Sequence, residues 1–201
     1  MSRFAIPRHL LAAALLASGA SRAADEYEID ASHTYPMFAV KHSGLSTLHG
    51  RFDDTSGHFT LDREGGSSRV EAVIRVDSLD SGHGQRDKIL RGDKFFDVAR
   101  FPEMRYVSRQ VRFTGASTAT IDGELTLHGV TRPLTLDLQH LSCAVHPLLR
   151  VWACGFDAYA KIKRSEFGMD AYLPTIVGDE VAIEIAVEAR RIDPAQRGGR
   201  R

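Results

Sequence analysis

Nine histidines and two cysteines are the residues of this chain best suited to chemistry, and their spacing limits what that chemistry can be. His42 and His49 stand seven positions apart, and His49 and His58 nine. No H-x-H, H-E-x-x-H or Cys/His cluster occurs, so ligand geometry is not encoded locally and no metal is expected. His9 falls in an apolar leader, His128 in a turn and His146 in a loop beside Pro147. A nucleophile is no better marked: G-x-S-x-G and C-x-x-C are both missing, and serines, histidines and aspartates are scattered. Gly82-His83-Gly84 ahead of Gln85-Arg86-Asp87 lacks the G-x-x-x-x-G-K-[ST] phosphate pattern and reads as a flexible entry to a short helix. The carboxylates do not separate into a proton donor and a proton acceptor. No residue therefore earns a catalytic role from composition or spacing alone, and no enzyme is expected. His42 stands out, because it alternates with Phe38 and Val40 on a face that should point inward. There it either hydrogen-bonds a ligand head group or is a satisfied core or rim histidine.

The cysteines, Cys143 and Cys154, flank a loop that contains His146-Pro147. A bridge between them would close a short loop and contribute about 2–3 kcal/mol, mostly by restricting the unfolded chain; two free thiols are the alternative. The N-terminus favours the bridge. Arg3, Arg8 and His9 precede an apolar run over 10–17, and small residues lead to Ser21-Arg22-Ala23. That is the layout of a signal peptide over 1–23, cleaved after Ala23 or Ala24, and disulfides persist in exported proteins. Cleavage removes three arginines and no acid, leaving 23 basic residues against 26 acidic and a net charge of −3. Such a body lacks the basic surface that nucleic-acid binding requires. Residues 193–201 form an Arg/Gly-rich tail, read as a flexible end that could also touch an anionic surface.

These residues need elements to hold them, and the elements are strands. Ile121, Gly123, Leu125 and Leu127 share one face. After a turn at His128–Thr131, Leu134, Leu136 and Leu138 do the same on a strand expected over 134–141. A period of two means strands with one apolar face. Others are expected over 27–29, 35–42, 50–53, 58–61, 70–76, 104–107, 111–113, 155–163 and 181–189. Turns fall at Thr55-Ser56-Gly57, Gly65-Gly66, Thr114-Gly115-Ala116 and His128-Gly129. Residues 85–91 suit a short helix ending near Gly92, which lids the strands with Phe95 and Phe96 packed beneath it. Residues 166–179 are irregular. The sum is one all-β antiparallel domain over 24–192, with about eight strands and one or two short helices. Its apolar faces must close into a sandwich or a barrel, and a barrel of about eight strands can hold one small ligand.

Several segments together resemble the YceI-like family of exported bacterial proteins. They are Phe38-Ala39-Val40-Lys41-His42 with Gly50-Arg51-Phe52; Gln85-Arg86-Asp87 with Phe95-Phe96-Asp97 and Phe101-Pro102; the run from Gly123 to Pro133; and the run from Lys163 to Met169 with Val177-Gly178-Asp179-Glu180-Val181. Their joint order and spacing carry the likeness over about residues 26–190. The resemblance implies an extended lipocalin-like antiparallel barrel with an apolar lumen. It implies a polyisoprenoid or related long-chain lipid as the bound molecule, a quinone-like one included, with no other cofactor. It also implies a periplasmic location and, through some relatives, a membrane b-type cytochrome as partner. The cysteine pair departs from the family pattern.

With that fold, alternation selects Phe38, Val40, Phe52, Ile74, Leu125, Leu127, Leu136, Phe156 and Ile183 as cavity lining. His42, Asp87 and Arg164 are the candidates for head-group or rim contacts. The expected function is sequestration or transport of the lipid. The competing expectations are an accessory module of a cytochrome and quinone system, and a barrel enzyme acting on a lipid through His42.

Overall fold

The structure, a computed structural model, describes residues 24–193. The leader expected over 1–23 and positions 194–201 of the tail lie outside the described residues. In chain order the strands are β1 (Asp25–Ile29), β2 (Tyr35–His42), β3 (Ser46–Phe52), β4 (Thr55–Leu61), β5 (Arg69–Arg75), β6 (Leu79–Asp80), β7 (Glu103–Phe113), β8 (Ala119–Leu127), β9 (Val130–Val145), β10 (Trp152–Lys163) and β11 (Val177–Arg191). One α-helix, α1 (Gly84–Arg91), stands between β6 and β7.

Eight strands close into an antiparallel barrel in the order β1-β4-β5-β7-β8-β9-β10-β11, with β11 returning to β1. Closure comes from the second half of β11, where Ala189 to Arg191 face Ile29 to Tyr27. The first half of β11 pairs with β2 instead, and β3 and β6 continue from there. The result is a barrel extended on one side, as the family resemblance implies.

The alternation from Ile121 to Leu138 behaves as its period requires. Ala119, Ile121, Gly123, Leu125 and Leu127 are buried, and the residues that alternate with them are only partly so. Register places Ile121 opposite Leu136 and Ala119 opposite Leu138, so the apolar faces coincide. His128 and Gly129 make the two-residue turn, both with positive φ (51° and 74°), which is what a tight hairpin between right-twisted strands demands.

Three expected boundaries are corrected. Thr55, Ser56 and Gly57 belong to β4 and do not form a turn. The turn lies at Asp53 and Asp54, whose N–H groups both donate to Ser78 Oγ at 3.1 Å. Gly57 is needed there because a Cβ would strike the Glu71 carbonyl on β5. The strands expected at 104–107 and 111–113 are one strand, β7, with a bulge between Ser108 and Gln110. Finally, β9 runs to Val145 rather than ending at Leu141.

Cys143 and Cys154 face each other across β9 and β10 and are bridged. The helix α1 ends at Arg91 as expected but begins at Gly84, inside the segment read as a flexible entry. The His83 side chain caps it by accepting the Arg86 N–H, and the Gly92 N–H donates to Ile89 O at its end.

Candidate functional site

The inward faces of the strands enclose a cavity of about 170 Å³. Because β-strand side chains alternate, each strand contributes every second residue, and the contributions are apolar almost throughout. From the sequence expectation, Phe38 and Val40 on β2, Phe52 on β3 and Ile74 on β5 line it. So do Leu125 and Leu127 on β8, Leu136 on β9, Phe156 on β10 and Ile183 on β11. One end is roofed by Leu90 of α1 and by Phe95 and Phe96 in the segment after it. Phe38, Phe52 and Phe96 form a ring cluster with centroids 5.6–6.3 Å apart. At the opposite end Phe59 and Phe156 meet edge to face at 5.6 Å. Beyond them a much smaller apolar space, bordered by Leu61, Phe113 and Leu141, points toward the β9–β10 hairpin.

The three residues expected at a head group separate. Arg164 lines the cavity and is 5% exposed, but four of its five N–H donors are given to backbone carbonyls. Its Nε donates to Gly178 O, its Nη1 to Met169 O, and its Nη2 to Ala171 O and Val177 O, at 2.6–2.9 Å. It therefore latches residues 169–178 over the barrel end, with its guanidinium 6.0 Å from the Phe95 ring centre. Burial lowers its pKa, against the opposing pull of Asp179 and Asp170. His42 lies outside the lining. It closes β2 opposite Ser46 and Val177, where the β11 ladder is irregular between Val177 and Val181, so the inward alternation stops at Val40. Asp87 is buried but outside the lining, and it accepts from the Ser81 N–H and hydroxyl beneath α1.

Two threonines that sequence reasoning passed over do line the cavity. Thr34 Oγ1 is paired in both directions with the Glu188 backbone. Thr55 is 2% exposed, and its hydroxyl has no hydrogen-bond partner. No sequence signal marks it, because Thr55 occupies a segment that looks like a turn. Tyr106 also reaches the lining, but its hydroxyl is spent on Ile121 O and Leu134 O. Burial pushes its phenol far above the ordinary range, so it stays neutral. Among the described residues no group of three His, Cys, Asp or Glu side chains is gathered to hold a metal.

The carboxylates around this roofed end give the fold an acid limit. Hydrogen bonds from Ser81 hold the Asp87 carboxyl below its ordinary range. For Asp179, burial pushes the carboxyl up. The Ser165 N–H and hydroxyl, with Arg164, outweigh it and leave the pKa lowered. A carboxyl depressed in the folded state stabilises the fold above its unfolded value of about 3.9, and the gain is lost as pH falls through the folded value. Unfolding free energy measured in urea should therefore be level above about pH 5 and fall below about pH 4. Asp87→Asn is expected to lower the plateau and flatten the acid limb. An unchanged acid limb would show that Asp87 does not contribute.

A model of the YceI-like domain matches residues 27–189. A UPF0312 protein of Yersinia pestis (strain Pestoides F) is 36% identical over 185 residues, covering 89% of this chain and 93% of that protein. The crystal structure of BcnA from Burkholderia cenocepacia superimposes with a TM-score of 0.70 at 22% identity, over 80% of this chain and 98% of that one. A polyisoprenoid binding domain from Saccharophagus degradans, described as implicated in plant cell wall breakdown, gives a TM-score of 0.61 at 18% identity, over 83% and 98%.

Proposed function

Because this chain belongs to the YceI-like domain family, we propose that its barrel binds a long-chain lipid of the polyisoprenoid type. The lining carries this reading: hydrocarbon and aromatic side chains surround the lumen, with Thr34, Thr55, Tyr106 and Arg164 as its polar members. A hydrocarbon chain gains about 0.8 kcal/mol for each methylene taken out of water, and ordering costs reduce the sum to a moderate, reversible affinity. The described activity of the Saccharophagus degradans domain, which shares the fold, supports the same ligand class.

Thr55 narrows the class. A buried hydroxyl without a partner is unfavourable, and a ligand oxygen would relieve it. A prenyl alcohol or a quinone-like head therefore suits this cavity better than a bare hydrocarbon. Binding is favoured over catalysis because the polar lining groups are two hydroxyls, a neutral phenol and a guanidinium committed to four carbonyls. The leader over 1–23 supports a periplasmic setting, where such a protein sequesters or carries its lipid.

Native mass spectrometry of protein isolated from its own cells is the test. The expected spectrum shows a long-chain lipid that organic extraction releases. Thr55→Val should weaken a prenyl alcohol about fivefold to tenfold and leave an oxygen-free isoprenoid unaffected. A barrel that arrives empty and takes up neither prenyl alcohols nor quinones would sink the reading.

A further inference from the structure

The lumen ends on two rings from separate parts of its wall. Phe59 on β4 and Phe156 on β10 have β1 and β11 between them around the barrel, so their edge-to-face contact crosses the inside. Phe59 is 3% exposed and Phe156 9%. Tyr27 on β1 stacks on Phe59 with ring centres 4.8 Å apart, so ring contacts from two strands fix where the Phe59 side chain lies.

Side-chain size changes abruptly at this level. Inward residues recur every second position. On β4, Thr55 and Phe59 line the cavity with the bare Gly57 between them. Gly57 is in register with Ala72 on β5, and Phe59 with Val70. On β10, Ala158 stands two residues from Phe156 on the cavity side. Small side chains thus leave room that the rings then close.

The rings are not the end of the apolar interior. Phe59, Val70, Ile121 and Phe156 border the cavity on one side and the smaller space, about 20 Å³, on the other. Leu138 and Leu141 lie beyond them. The two hydroxyls of that space, on Thr60 and Ser68, donate to the Ser67 and Asp62 carbonyls, so it suits hydrocarbon and not a head group. The ring pair is therefore a partition between two apolar spaces. Thr55 marks the other end of the measure. Its unpartnered hydroxyl lies four residues before Phe59 on β4, about 13 Å away at the rise of a strand.

We propose, resting on the reading that the cavity binds a prenyl lipid with its oxygen at Thr55, that the Phe59–Phe156 pair sets the length of chain the site accepts. A tail that starts at Thr55 gains burial with every unit laid down toward the rings. Units past that point find the lumen closed and add nothing. Length is thus read as a steric limit, at the barrel end away from the roof.

Farnesol, geranylgeraniol and solanesol, with three, four and nine isoprene units, are competed against a fluorescent long-chain probe. In the parent, affinity should be level between geranylgeraniol and solanesol. Phe156→Ala joins the two spaces and should raise the solanesol-to-geranylgeraniol affinity ratio about tenfold. The ratio cancels any uniform loss from looser packing, and thermal unfolding shows whether the variant is folded. Phe156→Leu, a gentler opening, should move the ratio the same way by about threefold. Adding Leu138→Phe to Phe156→Ala refills the space beyond the rings and should restore the parent's ratio. The proposal is overturned by a parent affinity that keeps climbing to solanesol, or by Phe156 variants that alter all three alcohols alike. A parent that takes up none of the three overturns the lipid reading itself, and the length limit with it.

Discussion

Arg164→Met will lower the unfolding free energy by about 3–5 kcal/mol and release residues 169–178 from the barrel end. The magnitude follows from what the guanidinium holds. Four carbonyls, those of Met169, Ala171, Val177 and Gly178, accept from it at 2.6–2.9 Å. Methionine matches much of the side-chain volume but has no donor, so the carbonyls lose their partner together. Arg164→Lys keeps the charge and should recover little, because an ammonium cannot present donors in the planar fork that this loop is folded around. Urea unfolding gives the energy, and hydrogen exchange across 169–178 gives the location. A loss below about 1 kcal/mol, or exchange that stays slow there, would remove Arg164 from the role of latch.

Ala158→Phe will abolish lipid uptake while leaving the barrel folded. Ala158 is 1% exposed, lines the cavity, and sits in register between Leu138 on β9 and Ile185 on β11. A ring built there projects into the lumen and occupies space that the lipid chain needs. Excluding about four methylenes at ~0.8 kcal/mol each weakens binding roughly two-hundredfold. The filled cavity offsets part of the overpacking cost, so stability should change by less than about 2 kcal/mol. Displacement of a fluorescent long-chain probe by a prenyl alcohol measures the first quantity, and thermal unfolding the second. Ala72→Leu, from β5 across the barrel, is a smaller filler that should act in the same direction. Undiminished uptake by both variants would place the ligand outside this cavity.

What could be read from the chain alone depended on whether local pattern or distant partners set the structure. The stripe from Ile121 to Leu138 was legible because its inward residues repeat every second position without interruption. In β7 the inward residues are Met104, Tyr106 and Ser108, and after the bulge Val111 takes up the opposite parity. One extra residue shifts the phase, and the strand reads as two. The extension of β9 to Val145 is set by pairing with β10 and by the bridge, neither of which leaves a periodic signal. Among the polar candidates, His42 was drawn in by extrapolating an alternation past the point where its neighbour on β11 becomes irregular. Arg164, expected at a head group or the rim, borders the cavity, but its work is set by carbonyls of an irregular loop that no side-chain pattern announces. Thr55 was hidden for the opposite reason: turn-forming residues occupy the start of a buried strand.

The closure of the barrel also fixes an order of events. Its seam joins Tyr27 to Arg191, 164 positions apart, so the first strand waits for the last. Hairpins such as β8–β9 can form as soon as their residues emerge, but the lumen does not exist until the chain is complete. Pairing over so long a separation is slow, because the entropy of the intervening chain is lost before the contact repays it. A chain made N-terminus first therefore remains an open, unsealed sheet during its synthesis. It acquires its inside, and with it any capacity to hold a guest, in a single late step.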